Sequence, residues 1–372
     1  MNRTISVMKA LAIIAMVAGH AELPGLLSNF IYIWHMPLFF MAAGYFFGTR
    51  HLADPWNFCT RRVKGLYIPF LKWSIIFLLL HNLWFDIGIL NEEYGNWEGG
   101  VTHPYTLRDF WRRVWLCVTS MSGYDEFLTG AFWFFRGLLV ASILFVVFAK
   151  ALEGVSMRGL RLQLWHIGAI ICTGALLFNA FRLGMGFRIP VIPNGGLREI
   201  WGLFFFGMGV VYRRFEDAIG NRWWLTLICF TLLCLGAWFH TCGMNNKGQL
   251  IDVLTLPLTG LSGWVVMRHL ATFIAAGQSA FARMMLFVGN NTLYIFIFHI
   301  ISFKLVNPLK IWWYSLDPAQ MGCHMVIHFN NHEDLFWILY TIVGVSVPLI
   351  VLQLYRQAKG RGIPTLAKAF RR

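Results

Sequence analysis

The chain has 372 residues, of which 58% are hydrophobic and only 13% are charged, and its formal net charge is +14 at pH 7. Ordinary soluble domains of this length do not have so apolar a composition, so the sequence predicts a polytopic membrane protein. The positive charge is explained by basic loops beside lipid headgroups, and no segment indicates a nucleic-acid-binding module. The 7 cysteines are scattered and odd in number, which favours packing residues over a disulfide framework.

About ten apolar runs are long enough to cross a bilayer core of about 30 Å. Most of the 31 basic residues fall in loops that are cytoplasmic if the N-terminus lies inside, and an even helix count returns the C-terminus to that side. We therefore predict an all-α, polytopic transmembrane helix bundle in the inner (plasma) membrane with both termini cytoplasmic. The predicted parts are a transmembrane domain over 1–356 and a basic cytoplasmic tail over 357–372. The runs lie at about 4–22, 28–48, 66–83, 128–149, 163–180, 197–212, 223–240, 250–267, 284–305 and 334–355.

The first apolar run contains Lys9 and His20, followed by Glu22. In an α-helix Lys9 and His20 are separated by about three full turns and about 16 Å of rise, so both lie on one face at different depths. Ionisable groups inside a bilayer are costly and usually face a pathway or a site. The segment has no small-residue cleavage site, so we expect it to be retained as a helix.

The predicted topology places His20, His35 and His299 at similar depths in the outer half of three helices. Arg136, near Trp133, enters the outer half of a fourth. Histidine suits proton transfer because its pKa lies near working pH, and it can also receive an acyl group. A structural hydrogen-bonding role is the alternative for each histidine taken alone. The alignment of His20 with Lys9 favours a chemical role there.

Arg61, Arg62 and Lys64 form a basic cluster immediately before the third predicted helix. The ordinary interpretation is a cytoplasmic anchor that sets the orientation of the helix. The functional interpretation is a phosphate clamp, because arginine forks and a lysine point charge both grip phosphate oxygens.

Two predicted outer segments, 82–125 and 307–334, are rich in aromatic and charged residues. They can form an aromatic belt at the membrane surface, an acceptor-binding surface for a sugar, or both. His324, His328 and His332 follow Cys323 at helical spacing, so a zinc site is conceivable. Their position in an outer loop favours the absence of a metal.

Five motifs stand out along the chain. They are Lys9-x10-His20, His35-Met-Pro-Leu-Phe-Phe with Gly44-Tyr45, Arg61-x-x-Lys64 with Ile68-Pro69, Phe132-Trp133-Phe134, and the segment from Gly289 to His299. Together they resemble the membrane acyltransferase 3 family, and within it the fucose 4-O-acetylase-like proteins. The similarity extends from Arg3 to Tyr355.

The resemblance implies a ten-helix enzyme that transfers an acyl group, usually acetyl from acetyl-CoA, to a carbohydrate hydroxyl, with no tightly bound cofactor. It implies that His20 is the essential histidine, Lys9 its basic partner and His35 a second active-site histidine. Many relatives have Asp at the position of Ser6, and Lys9 replaces the commoner Arg. Any carboxylate partner of Lys9 must therefore come from elsewhere.

The predicted partners are acyl-CoA, a polysaccharide or lipid-linked sugar, and membrane lipids. In the corresponding mechanism, CoA phosphates bind at Arg61, Arg62 and Lys64. The thioester arm follows the Lys9 face to His20, which acts as a base or a transient acyl carrier. Arg136, His35 or a helix amide stabilises the oxyanion. Acceptor contacts are assigned to Glu22, Trp133, Arg136 and His299.

Two other classes of function fit parts of the same pattern. In a transporter or flippase, His20, His35 and Lys9 would line a proton or glycan path without transferring a group. A structural or regulatory membrane protein would tolerate apolar replacements at these positions.

Overall fold

The computed structural model describes residues 2–21, 23–95, 102–157, 160–189, 192–244, 248–326 and 334–359. Within these ranges the chain is helical except for loops and one short antiparallel strand pair. Strand β1 (Ser156–Met157) pairs with β2 (Leu160–Arg161), with Ser156 opposite Arg161.

The α-helices are named here in chain order. The first nine are α1 (Arg3–Gly19), α2 (Gly25–Tyr32), α3 (His35–Tyr45), α4 (Thr49–Ala53), α5 (Pro55–Arg62), α6 (Ile68–Asp86), α7 (Glu92–Gly95), α8 (Leu107–Ser120) and α9 (Glu126–Thr129). The next nine are α10 (Trp133–Leu152), α11 (Leu164–Met185), α12 (Leu197–Ile219), α13 (Trp223–Trp238), α14 (Asp252–Ala276), α15 (Ala280–Asn290), α16 (Thr292–Phe303), α17 (Asn307–Tyr314) and α18 (Phe336–Ala358). Short 3-10 turns lie at Gly130–Phe132, Pro193–Gly196 and Pro318–Gly322, and a π-helical turn lies at Val63–Tyr67.

Every predicted apolar run coincides with one or two of these helices. In the part of the chain that the structure describes, 6 helical stretches are long and apolar enough to cross a membrane. The count of about ten spans and the cytoplasmic termini remain predictions, as do the proposed domain limits. The six stretches are Gly25–Tyr45, Pro55–Asp86, Glu126–Leu152, Leu164–Met185, Thr292–Tyr314 and Phe336–Ala358.

Two predicted runs are interrupted rather than continuous. The run over 28–48 breaks between α2 and α3, just before Pro37. Proline fits the first turn of a helix but cannot donate a backbone hydrogen bond, so it favours a new start there. The run over 284–305 breaks at Asn291, whose side-chain amide donates to the Phe287 carbonyl at 2.7 Å. Asparagine competes in this way with the regular helix ladder.

The chain divides into two compact units. The first comprises Met1–Ser28, Leu71–Phe132 and Ala271–Arg372. In it, α1 packs against α15, α16 and α18, and most of its side chains are buried. A Cβ added at Gly289 in α15 would lie 1.7 Å from the Ser6 carbonyl oxygen, so only glycine permits this crossing.

The second unit comprises Asn29–Phe70 and Trp133–Leu270. Helix α12 packs against α3, α10 and α11. A Cβ at Gly44 of α3 would lie 1.8 Å from the Phe206 carbonyl oxygen, and one at Gly209 would lie 2.1 Å from the Met41 carbonyl oxygen. Backbone therefore touches backbone along the seam between α3 and α12, which fixes both helices closely.

Candidate active site

Two histidines meet in the first unit. His20 immediately follows α1, and its backbone N–H donates to the Met16 and Val17 carbonyls at 3.1 Å. His299 lies in α16 and is 1% exposed. Their ring centroids are 5.2 Å apart, with an interplanar angle of 54°. The two residues come from opposite ends of the sequence, and the packing of α1 on α16 brings them together.

The helix backbone sets the tautomer of His299. Its Nδ1 lies 3.0 Å from the Phe296 carbonyl and 3.2 Å from the Ile295 carbonyl. Carbonyl oxygens only accept hydrogen bonds, so Nδ1 carries the proton and Nε2 presents its lone pair. Nε2 is buried and has no hydrogen-bond partner among the described residues. This nitrogen is therefore an available proton acceptor beside His20.

A third histidine lies near this pair. The His324 ring is 3.9 Å from the Phe127 ring, centroid to centroid, and its Nε2 contacts the Phe127 carbonyl. Burial and, to a smaller extent, the neighbouring Lys304 lower the pKa of His324 to about 4. His324 also interacts electrostatically with His20. His324 is thus neutral at pH 7. The sequence pattern did not indicate that it lies near His20 and His299.

Lys304 is a buried basic residue of the same unit. Its Nζ donates to the Met321 carbonyl at 2.9 Å and to the Cys323 carbonyl, and it lies 5.4 Å from the Phe127 ring centroid. These acceptors anchor the loop after α17 to α16. No metal-ligand cluster is found within the residues that the structure describes. His328 and His332, considered for zinc above, lie outside them.

Lys9 lies in the middle of α1 and is partly buried. It forms no hydrogen bond or ion pair with any residue in the described ranges. The side chain of Ser6, one turn earlier, is 2% exposed and supplies no carboxylate. The expectation that a partner for Lys9 must come from elsewhere therefore stands. Glu22, the nearest acidic residue in sequence, is outside the described residues.

His35 belongs to the second unit and is buried at the start of α3. Its Nδ1 lies 2.8 Å from the Ile31 carbonyl, and its ring centroid lies 5.2 Å from that of Tyr32. The carbonyl bond assigns the proton to Nδ1, as in His299. It also connects α3 to α2 across the break in the helix.

The three residues of the basic cluster, Arg61, Arg62 and Lys64, differ in exposure. Arg61 and Lys64 are exposed, and Arg61 Nε donates to Asn57 Oδ1 at 3.2 Å. The Arg62 guanidinium instead lies 5.0 Å from the Phe58 ring centroid and 5.8 Å from that of Phe206. Lys64 is part of the π-helical turn, a feature that often marks functional positions. Two of the three charges therefore face outward, and the third stabilises the local structure.

Arg136 is buried in the first turn of α10 and forms an ion pair that the sequence did not predict. Its Nε donates to Glu199 Oε1 at 2.8 Å. Trp133 is also buried, with the Arg198 guanidinium 4.4 Å from its ring centroid. Both predicted acceptor contacts in this unit are thus already packed against residues of α12.

Comparison with known proteins decides the family. A model of the acyltransferase domain, of the acyltransferase 3 type, matches residues 2–353. The chain belongs to this acyltransferase family. The assignment and the apolar helices together indicate a membrane acyltransferase. No curated protein and no solved structure matches the chain.

Proposed function

We propose that this membrane acyltransferase moves an acyl group, with acetyl as the expected one, from cytosolic acyl-CoA to a hydroxyl of a cell-surface or lipid-linked carbohydrate. The observation that carries the proposal is the His20 and His299 pair in a chain matched by an acyltransferase family over residues 2–353. Ionisable side chains inside an apolar helix bundle are costly and commonly functional, and two neighbouring histidines suit proton or acyl transfer.

The chemistry assigned to the pair is general base catalysis. His20 takes the proton of the acceptor hydroxyl while the hydroxyl oxygen attacks the thioester carbonyl carbon. The carbon–sulfur bond then breaks, and the proton passes from His20 to the leaving thiolate to give free CoA. When His20 is protonated, the His299 Nε2 lone pair accepts its N–H and disperses the positive charge. Nucleophilic attack by His20, with a transient acyl-histidine, uses the same two groups.

The donor is assigned to the exposed pair Arg61 and Lys64. CoA carries phosphate groups, and a guanidinium and an ammonium on one turn bind such oxygens with charge-assisted hydrogen bonds. Arg62 contributes indirectly, because its stacking on Phe58 stabilises the segment that presents the other two.

The test uses purified protein in lipid nanodiscs, with labelled acetyl-CoA and the surface glycan fraction of cells that lack the active chain. Replacement of His20 with Ala should lower acetyl transfer to glycan by at least about 100-fold. The matched control His269→Gln removes a histidine that hydrogen-bonds Thr226 in the second unit and should transfer normally. A folded His20→Ala protein that transfers at the wild-type rate would refute the proposal.

Mass spectrometry of surface glycans from cells with and without the active chain gives the acyl mass and the modified sugar. Glycan movement across the membrane without acetyl-CoA consumption would favour the transporter interpretation.

A further inference from the structure

The second unit contains a buried polar cluster at one end of its central helices. Arg136 lies in the first turn of α10, Asn179 and Arg182 in the last two turns of α11, and Glu199 in the first turn of α12. Their exposed fractions are 5%, 0%, 4% and 1%. Helices α10, α11 and α12 pack on one another. The contacts of Arg136 with Glu199 and of Arg182 with the Gly195 carbonyl place these ends together. We call these four residues the polar cluster.

Ionic contacts account for only some of the polar atoms in this cluster. Arg136 binds Glu199 through Oε1, and Arg182 Nη1 donates to the Gly195 carbonyl at 3.1 Å. Arg182 also interacts electrostatically with Glu199. Four buried atoms have no hydrogen-bond partner among the described residues. They are Asn179 Oδ1, Asn179 Nδ2, Arg182 Nε and Glu199 Oε2.

The turn before α12 holds this arrangement in place. Gly195 and Gly196 have φ values of +64° and +77°, which residues with a Cβ rarely adopt. A Cβ at Gly195 would lie 2.9 Å from the Arg188 Cβ, and one at Gly196 would lie 2.9 Å from the Ile189 Cδ1. The tight turn directs the Gly195 carbonyl at Arg182, which limits the freedom of the guanidinium before any ligand binds.

The unpartnered atoms indicate the chemistry of a ligand. Asn179 Nδ2 and Arg182 Nε donate, whereas Asn179 Oδ1 and Glu199 Oε2 accept. An anion is repelled by the free carboxylate oxygen, and a cation is repelled by the two arginines. A hydroxyl group donates and accepts through one oxygen, so neighbouring hydroxyls can satisfy donors and acceptors together. Neutral carbohydrate is the class of metabolite richest in neighbouring hydroxyls.

We propose that the polar cluster is a binding subsite for adjacent hydroxyls of a neutral sugar. The inference deepens the proposed function and rests on it where the sugar is identified as the acyl acceptor. The Asn179 amide accepts from one hydroxyl and donates to its neighbour. Arg182 Nε and Glu199 Oε2 form further hydrogen bonds to the same two hydroxyls. The Arg136 side chain orients Glu199 through the bond from its Nε to Oε1. Asn179, Arg182 and Glu199 are thereby the residues of the second unit expected to bind the sugar.

The decisive variant is Asn179→Leu, which keeps the side-chain size and removes both unpartnered atoms. The probe is the surface glycan fraction from cells that lack the active chain. We expect the KM for this acceptor to rise at least about tenfold, with no comparable rise in the KM for acetyl-CoA. The thermal midpoint should stay constant or increase, because a costly buried polar group has been removed. Asn221→Leu, just beyond the opposite end of α12, is the matched control. It removes a hydrogen bond from Arg268 and should change neither KM.

Direct binding separates this inference from the proposed function. The glycan fraction should raise the thermal midpoint of the wild-type protein and leave that of Asn179→Leu unchanged, even if no acyl transfer occurs. Wild-type transfer with an unaltered acceptor KM in Asn179→Leu would overturn the subsite and assign the cluster to structural hydration. If that variant does not fold, Glu199→Gln keeps the volume and replaces an acceptor by a donor. An unaltered acceptor KM there would overturn the subsite equally.

Discussion

Replacement of Gly289 with alanine tests whether the crossing of α1 and α15 positions the His20 and His299 pair. The alanine Cβ would lie 1.7 Å from the Ser6 carbonyl oxygen, whereas ordinary van der Waals contact begins at 3.4 Å. Backbone cannot rotate away as a side chain can, so the two helices must separate by about 1.7 Å. His20 directly follows α1, and α15 leads directly into the helix that contains His299.

The expected magnitudes follow from this displacement. Overpacking a tight contact typically costs about 1–3 kcal/mol of folding free energy. A displacement of about 1 Å in a catalytic group can lower the rate by about 100-fold. We therefore expect Gly289→Ala to lower kcat for acetyl transfer by about 100-fold, with a smaller effect on the acceptor KM.

The assay is acetyl transfer to the glycan fraction, combined with thermal unfolding in nanodiscs. Gly174→Ala is the matched control, because a Cβ there meets no heavy atom within 4 Å and the position is an exposed one within α11. That variant should be as stable as the wild type or slightly more stable. Wild-type kcat and thermal midpoint in Gly289→Ala would show that α1 and α15 do not cross as described.

Three further predictions address charge. Arg61→Gln and Lys64→Gln should each raise the KM for acetyl-CoA about tenfold and weaken its salt dependence, as steady-state kinetics will measure. The pKa of His324 falls from 6.5 to about 4 on burial, so the folded state binds fewer protons below pH 6.5. The contribution of His324 to stability should be complete above pH 6.5 and be lost, by up to about 3 kcal/mol, towards pH 4. Thermal scans of His324→Gln should therefore show a shallower decline. Lys310 Nζ lies 2.9 Å from Asp334 Oδ2, and both side chains are buried. Lys310→Met should cost about 3–5 kcal/mol, and adding Asp334→Leu should restore most of the thermal midpoint.

The helices were predictable from the sequence because long apolar runs have few other stable states in lipid. The breaks and irregular turns within these helices were harder to predict. Pro37 favours a helix start at α3, but proline inside an apolar run can also kink a helix that continues, so the sequence alone did not show that the run breaks there. The π-helical turn at Val63–Tyr67 has an ordinary composition, and only the surrounding packing distinguishes it from an α-helical turn.

The candidate site was predictable in depth but not in lateral position. Helical rise placed His20 and His299 at similar heights, yet the packing partner of α1 depends on contacts such as that of Gly289 with Ser6. The tautomer of His299 depends on contacts with two backbone carbonyls, so it could not be predicted from the sequence. Asn179 and Arg182 did leave a signal, because polar residues three apart near a helix end share one face.

The interleaved composition of the first unit has a consequence for synthesis. Helix α1 enters the membrane early, but its neighbour α15 is made only near the other end of the chain. At about 5–20 residues per second, the delay is on the order of 15 to 60 seconds. During that interval, lipid or a helix made before α15 must contact both Lys9 and the surface of α1 that later packs against Gly289. The sequence of α1 therefore satisfies two environments in succession, a bilayer during biogenesis and a protein interior afterwards.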